Sequence, residues 1–259
     1  PLLLTPRSSL PSTIADALRA LAPKRIVVLG GEAAVSDSVA VAACSAANVP
    51  TSTIERIAGV DRYETAALIA EQITLTPSAG VSIASGAAFP DAASASSFSG
   101  MLGMPILLTR KSSLPTATAA YLGRHSDKAT SAVVVGGPAV VSQAVVTTLS
   151  SKMKVTWLWG SDRYGTNVAT LNRFWKTGTL APYVTTSEKF PDALTGGALA
   201  GHTGEPLVLC GKTYLAAQTR EWVMQNSARI PNFTMVGSTN ALSRLLEWEI
   251  AKARRVPAP

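Results

Sequence analysis

Short apolar runs alternate with helical stretches along most of the chain. Three of these runs, at 81–84, 106–108 and 132–135, have the length of buried strands. Stretches of helical character follow Pro90-Asp91, Leu114-Pro115 and the glycine pair at 136–137. Strands that alternate with helices at this spacing predict a parallel sheet covered on both faces, which is an α/β fold.

The same blocks of residues recur at a fixed distance. The motif Gly-x-Asp-Arg-Tyr occurs at 59–63 and again, 101 positions later, at 160–164. Phe-Pro-Asp-Ala at 89–92 recurs at 190–193, and the proline-led apolar block at 105–108 recurs at 206–209, in the same register. A fixed period predicts tandem units, here of roughly 100 residues each.

The first 54 residues match only the second half of this unit. Residues 1–5 correspond to the strand expected at 105–109, whereas neither Gly-x-Asp-Arg-Tyr nor Phe-Pro-Asp-Ala has a counterpart before residue 55. We therefore divide the chain into the C-terminal half of a first repeat (1–54), a second repeat (55–156) and a third repeat (157–259). We expect the missing half to lie in a longer chain or to come from another chain, because a lone half-domain would expose a buried strand.

Duplicated carboxylates favour architecture or binding over catalysis. Asp61 and Asp162 stand where helices are expected to begin, and Asp91 and Asp192 follow proline at strand-to-helix turns. We predict all four as helix N-caps, because a carboxylate there accepts hydrogen bonds from free amides and complements the helix dipole. Acid–base catalysis by paired carboxylates needs two differentiated groups, and nothing separates such roles here.

Other catalytic and cofactor signals are weak. The two histidines, His125 and His202, occupy non-equivalent places in their repeats, and no Gly-x-Ser-x-Gly elbow is present. The glycine pairs at strand ends do not continue as phosphate-binding loops. Cys44 and Cys210 lack a Cys-x-x-Cys partner, which argues against a metal site and leaves a disulfide between them open. No cofactor or metal is expected.

The charge balance favours anionic partners. The formal net charge is +7, with 23 Lys and Arg against 16 Asp and Glu. Aromatic residues make up only 6% and are not interleaved with basic runs, which disfavours nucleic acid. A basic residue follows each proline-led block: Arg7, Lys111 (beside Arg110) and Lys212. Ligands of open α/β sheets bind at such strand ends, although ordinary solvated loop cations remain the alternative.

Taken together, the motifs resemble the type 2 cell-wall-binding repeat of Gram-positive surface proteins and autolysins. The resemblance rests on R-[IL]-x-G-x-D-R-Y-x-T-A at 56–66, Phe-Pro-Asp-Ala at 89–92 and Pro-Ile-Leu-Leu at 105–108. It implies tandem Rossmann-like repeats in a pseudo-threefold arrangement. It also implies a secreted protein at the cell surface that binds an anionic secondary wall polymer, a polysaccharide or teichoic-acid-like chain, without a covalent bond.

The resemblance also assigns residues. It places attachment in the Pro-Ile-Leu-Leu blocks, which here are Pro1, Leu2, Leu3, Leu4, Pro105, Ile106, Leu107, Leu108, Pro206, Leu207, Val208 and Leu209. We expect the ligand-binding cations to be Arg7, Arg110, Lys111, Lys212, Arg62 and Arg163. The third repeat departs from the pattern at Asn167, where the second has Ala66, and we expect it to bind more weakly.

Two other functions remain open. The chain could be a fragment of a wall amidase or hydrolase whose catalytic module is absent or unrecognised. It could also be a surface-layer protein whose repeats mediate lateral assembly. Our interpretation is a non-catalytic anchoring segment with no nucleic-acid partner and no membrane span, since no apolar run reaches the about 18 residues that a membrane helix needs.

Overall fold

The first compact unit contains a small parallel sheet and three helices. The computed structural model describes residues 1–76 and 80–255, and they divide into two units after Gln72. The first unit contains α1 (Ser12–Leu21), β1 (Ile26–Leu29), α2 (Asp37–Ala47), β2 (Ile54–Ile57) and α3 (Arg62–Ala70). Strands β1 and β2 pair in parallel, with Ile26 opposite Ile54.

Residues 1–4 form no strand, so the strand expected there is wrong. In the second unit the equivalent block lies beside a central strand that accepts and donates its ladder hydrogen bonds. The first unit has no equivalent of that central strand, since its sheet consists of β1 and β2 alone. Without a neighbour the backbone of residues 1–4 stays irregular, and their leucines are half-buried.

The second unit contains two parallel sheets and seven helices within its described residues. Its elements are β3 (Gly80–Ser85), α4 (Pro90–Leu102), β4 (Ile106–Thr109), α5 (Thr116–Arg124), β5 (Ser131–Val135), α6 (Gln143–Ser150), β6 (Lys154–Leu158), α7 (Arg163–Phe174), β7 (Tyr183–Thr186), α8 (Phe190–Thr203), β8 (Leu207–Cys210), α9 (Ala217–Gln225), β9 (Thr234–Met235) and α10 (Arg244–Arg255). The strand orders are β4-β3-β5-β6 and β8-β7-β9. All described pairs are parallel, which confirms the predicted α/β fold.

Burial follows the order of the strands. Every residue of the central strand β3 is buried, since β3 lies between β4 and β5 and packs against α4. The edge strand β6 is only half-buried and pairs with β5, Leu158 lying opposite Val135. The strand that leads into the second Gly-x-Asp-Arg-Tyr motif therefore completes the sheet of the preceding repeat.

Helices α4 and α8 pack through equivalent residues of the two repeats. Gly100 approaches Gly201, and Ser96 approaches Gly197. At the start of the helices the rings of Phe89 and Phe190 meet edge to face, with centroids 6.4 Å apart. Each pair is separated by the repeat offset of 101 residues, so the two helices run parallel and in register.

Candidate functional site

The predicted cations Arg7, Lys111 and Lys212 are all exposed in the loops that follow the proline-led blocks. In each loop the backbone carbonyl of the basic residue accepts a hydrogen bond from a serine amide just before the second helix that follows the loop. The pairs are Arg7 with Ser36 at 2.9 Å, Lys111 with Ser142 at 2.7 Å, and Lys212 with Ser243 at 2.9 Å. These serines directly precede α2, α6 and α10. The backbone of each basic residue is thus held beside a helix N-terminus, the positive end of the helix dipole.

The Arg7 side chain and the Lys212 backbone amide each donate a hydrogen bond in these loops. Arg7 Nε donates to the carbonyl of Glu32 at 3.1 Å. The amide of Lys212 donates to Glu188 Oε1 at 3.0 Å. Among the residues that the structure describes, neither Lys111 nor Lys212 forms an ion pair. Arg110 lies exposed next to Lys111 and adds positive charge there.

The Gly-x-Asp-Arg-Tyr motifs begin helices, as the capping interpretation requires. Asp61 is the N-cap of α3, and its carboxylate accepts from the amides of Tyr63 and Glu64, both at 2.9 Å. Asp162 is the N-cap of α7 and accepts from the amide of Gly165 at 2.8 Å. These two carboxylates are therefore structural caps.

The arginines of these motifs stand at the first position of their helices, and both are exposed. Arg163 Nη1 donates to the carbonyl of Ser187 at 2.8 Å, at the end of β7. Glu188, the next residue, accepts from the amide of Lys212. The structure therefore brings Arg163 and Lys212 to the same end of β7. Arg62 occupies the corresponding position in the first unit.

The capping interpretation is wrong for Asp91 and Asp192. Both lie inside the first turns of α4 and α8, whose N-cap positions are Phe89 and Lys189 and carry no side-chain cap. Each carboxylate instead faces the glycine that ends a strand. A Cβ at Gly136 would lie 2.7 Å from Asp91 Oδ2, and one at Gly237 would lie 2.9 Å from Asp192 Oδ2.

Contact with the turn at Gly136, which we call the glycine turn, buries Asp91. Asp91 is only 9% exposed. This burial raises the pKa of Asp91 to about 6, against an opposing effect of the Arg163 charge. Gly136 and Gly237 also have φ of 122° and 139°, which side chains other than glycine rarely adopt. The Phe-Pro-Asp-Ala block and the glycine turn are thus two halves of one packing contact.

The proline-led blocks of the second unit lie in the sheets. In β8 all four residues are buried, and in β4 Leu107 is buried while Ile106 and Leu108 are half-buried. The carbonyl of Leu108 accepts from Thr118 Oγ1 at 2.7 Å. These blocks leave little surface for a ligand and instead position the basic loops that follow them.

Asn167, a departure from the repeat pattern, has a structural role. It is fully buried, and its amide nitrogen donates to the carbonyl of Leu207 at 3.0 Å. Its side-chain oxygen accepts from the amide of Leu209 at 3.0 Å. Because β8 is an edge strand, Asn167 satisfies backbone groups that have no strand neighbour.

Sequence reasoning missed a hydrogen bond to a glycine carbonyl that recurs in both units. A tryptophan donates it in one unit and an arginine donates it in the other. Trp157 Nε1 donates to the carbonyl of Gly136 at 2.7 Å. In the first unit Arg56 Nη1 donates to the carbonyl of Gly30 at the same distance, 2.7 Å. Trp157 stands 101 positions after Arg56. That shared position before Gly-x-Asp-Arg-Tyr is the signal that could have revealed the equivalence.

Metal and membrane signals were sought within the described ranges 1–76 and 80–255. No group of three or more His, Cys, Asp and Glu side chains there could hold a metal ion. No helix there combines the length and apolar character that crossing a membrane requires. Cys44 and Cys210 are buried free thiols, which answers the disulfide question.

Comparisons with known proteins match most of the chain. The model of the family described as "Cell wall binding domain 2 (CWB2)" matches residues 56–146 and 158–247. The N-acetylmuramoyl-L-alanine amidase LytC of Bacillus subtilis (strain 168) is 31% identical over 244 residues, which are 94% of this chain and 46% of LytC.

Two solved structures share the fold. Cwp6 from Clostridium difficile superposes with a TM-score of 0.88 and 26% identity, covering 100% of this chain and 40% of Cwp6. Cwp8 from Clostridium difficile gives a TM-score of 0.80 and 26% identity, covering 98% of this chain and 43% of Cwp8. The chain thus spans less than half the length of these relatives.

Proposed function

The chain belongs to the cell wall binding domain 2 family, and on that premise we propose that it anchors a protein by binding an anionic secondary polymer of the Gram-positive wall. Binding to the cell wall is the function of this family. The proposal concerns the ligand, its charge and the residues that hold it. The cations are Arg7, Lys111 and Lys212, each acting together with the helix N-terminus beside it.

One repeated contact carries this proposal. In each of the three loops the serine amide just before a helix donates a hydrogen bond to the backbone carbonyl of the basic residue, which holds the backbone of that residue next to the helix start. A helix N-terminus attracts anions through its dipole, and a lysine or arginine beside it adds a full charge. Phosphate or carboxylate groups along a polymer suit such sites, since several weak contacts on one chain reinforce each other.

The chain itself supplies anchoring in this proposal, and catalysis would reside in another part of a longer protein. The match to LytC supports an amidase as that longer protein, because this chain covers 46% of the length of LytC. The proposed location is outside the cell, at the wall. Hydrolysis of peptidoglycan by residues 1–259 alone would contradict the division of roles.

Sedimentation with purified Gram-positive walls tests the charge mechanism. The fraction of protein bound is measured at about 0.05 M and about 1 M salt, where the screening length falls to about 3 Å. We expect affinity to fall steeply between these conditions. Equal affinity at both would contradict binding through exposed cations.

A further inference from the structure

Trp159 presents an indole to solvent at the end of β6. It is 48% exposed. Its ring lies over Gly137, where a Cβ would be 3.5 Å from Trp159 Cε3. Trp157 lies beside it, with ring centroids 6.1 Å apart. The protein thus supports one side of the indole and leaves about half of its surface open.

Hydrogen bonds hold the residues next to Trp159 in place. Trp157 Nε1 is bonded to the carbonyl of Gly136, and the amide of Gly136 donates to the carbonyl of Leu158 at 3.0 Å. Both bonds tie the turn at Gly136 to the last two residues of β6, directly before Trp159. An aromatic ring held in this way loses little conformational entropy when a ligand covers it.

Trp159 and Lys111 lie at the same edge of one sheet. Lys111 follows the carboxyl end of β4 and Trp159 follows that of β6, in the order β4-β3-β5-β6. Three strand spacings of about 4.8 Å separate the two positions by roughly 14 Å. The turn that carries Gly137 continues to Ser142, whose amide binds the carbonyl of Lys111. A polymer that crosses this edge would meet an aromatic ring and a cation.

We infer that Trp159 stacks against a sugar ring of the wall polymer, which makes the ligand of this sheet a polysaccharide that carries charge. A pyranose has a face of C–H groups, and an indole attracts such groups through its electron-rich face while it removes apolar surface from water. A poly(glycerol phosphate) chain offers charge but no ring. This inference rests on the proposed function and names the class of polymer.

The first unit has no equivalent of the exposed Trp159 ring. The residue 101 positions before Trp159 is Ala58, in the first unit, which offers no ring. The effect of removing Trp159 should therefore not be masked by an equivalent aromatic there. Trp248 supplies a matched control, because it is 56% exposed on α10 and lies against Lys252 instead of a strand end.

The test compares Trp159→Ala, Trp159→Phe and Trp248→Ala with the unchanged chain on two purified probes. One probe is a hexose-containing anionic wall polysaccharide, and the other is poly(glycerol phosphate). We expect Trp159→Ala to lower affinity for the polysaccharide about two- to tenfold, Trp159→Phe to keep most of it, and Trp248→Ala to match the unchanged chain. Affinity for poly(glycerol phosphate) should be the same in all four proteins.

The outcomes separate this inference from the proposed function. If the unchanged chain binds the polysaccharide and Trp159→Ala binds it equally well, stacking is wrong and anchoring through charge stands. If Trp159→Ala loses affinity for both probes to the same extent, the loss comes from the fold and stacking is again wrong. If the unchanged chain binds neither probe nor whole walls, both proposals fail.

Discussion

Gly100 and Gly201 face each other across the pair of parallel helices that joins the second and third repeats. A Cβ on Gly100 would lie 2.8 Å from Gly201 Cα, and one on Gly201 would lie 2.9 Å from Gly100 Cα. These distances are shorter than two carbon atoms tolerate without movement of the backbone. The contact between repeats therefore depends on the absence of two side chains at equivalent positions.

Gly100→Ala should lower the free energy of unfolding of the second unit by about 1–3 kcal/mol, because the new methyl group meets backbone atoms. Gly123→Ala is the matched control. It also lies in a helix, but nothing lies within 4 Å of its Cβ position, so it should be neutral or stabilise by up to about 1 kcal/mol. Chemical denaturation measures both values. Equal stability of the two variants would contradict the close helix contact.

Stability should depend on the titration of Asp91. Burial raises the pKa of Asp91 from 3.8 to about 6, so the folded state holds this proton more tightly than the unfolded state. The stability that the protonated carboxyl contributes is complete below about pH 4 and is lost as the pH rises through about 6. Asp91→Asn keeps a neutral side chain and should not show this loss.

Urea denaturation at several pH values between about 4 and 7 checks the Asp91 prediction. The free energies of unfolding of the unchanged chain and of Asp91→Asn should diverge as the pH rises. Asp192→Asn, at the equivalent and less buried position, serves as the control for loss of a carboxylate. Parallel profiles for the unchanged chain and Asp91→Asn would count against a buried, protonated Asp91.

The hydrogen bond that Trp157 donates can be tested by replacing Trp157 with the residue that stands at the equivalent position of the preceding repeat. Trp157→Phe keeps an aromatic ring but removes the donor to Gly136, which should cost about 1 kcal/mol of stability. Trp157→Arg introduces the residue that makes the equivalent bond from Arg56 to Gly30. Thermal unfolding should therefore rank Trp157→Arg above Trp157→Phe. The reverse order would show that ring packing, and not the donor, matters at this position.

The alternation of strands and helices could be predicted because it depends on local patterns. The helix expected after Leu114-Pro115 begins at Thr116, and the apolar run at 132–135 lies within β5. The cap at Asp61 was also predictable, since the residues that it serves follow directly in the chain. Local chemistry was sufficient in each case.

The errors arise where a distant residue decides the outcome. Asp91 looks like a cap until the glycine turn 45 positions later is placed against it. Residues 1–4 resemble a strand, but strand formation depends on a neighbour that the first unit lacks. The equivalence of Arg56 and Trp157 is hidden because it depends on one shared N–H donor and not on similar side chains. Tertiary contacts of this kind join positions that local sequence patterns do not connect.

The positions of the basic loops, at the ends of strands, were predicted from sequence. The hydrogen bonds that hold the backbone of these loops beside helix starts were not predicted. Because the backbone of Lys111 is held beside the start of α6, we expect a substitution of Lys111 to change the affinity for the ligand most directly. Lys128 is a matched control, because it is also an exposed lysine of the second unit but precedes β5, at the opposite edge of the sheet. Reversing either charge alters the net charge of the chain equally.

Binding of Lys111→Glu and Lys128→Glu to purified Gram-positive walls, measured at low salt, tests the central claim most directly. We predict that Lys111→Glu binds at least about tenfold more weakly than the unchanged chain and shows a smaller salt dependence, because one anion contact becomes a repulsion. Lys128→Glu should lose far less affinity. Equal affinities of the two variants would contradict an anion site at the loop of Lys111.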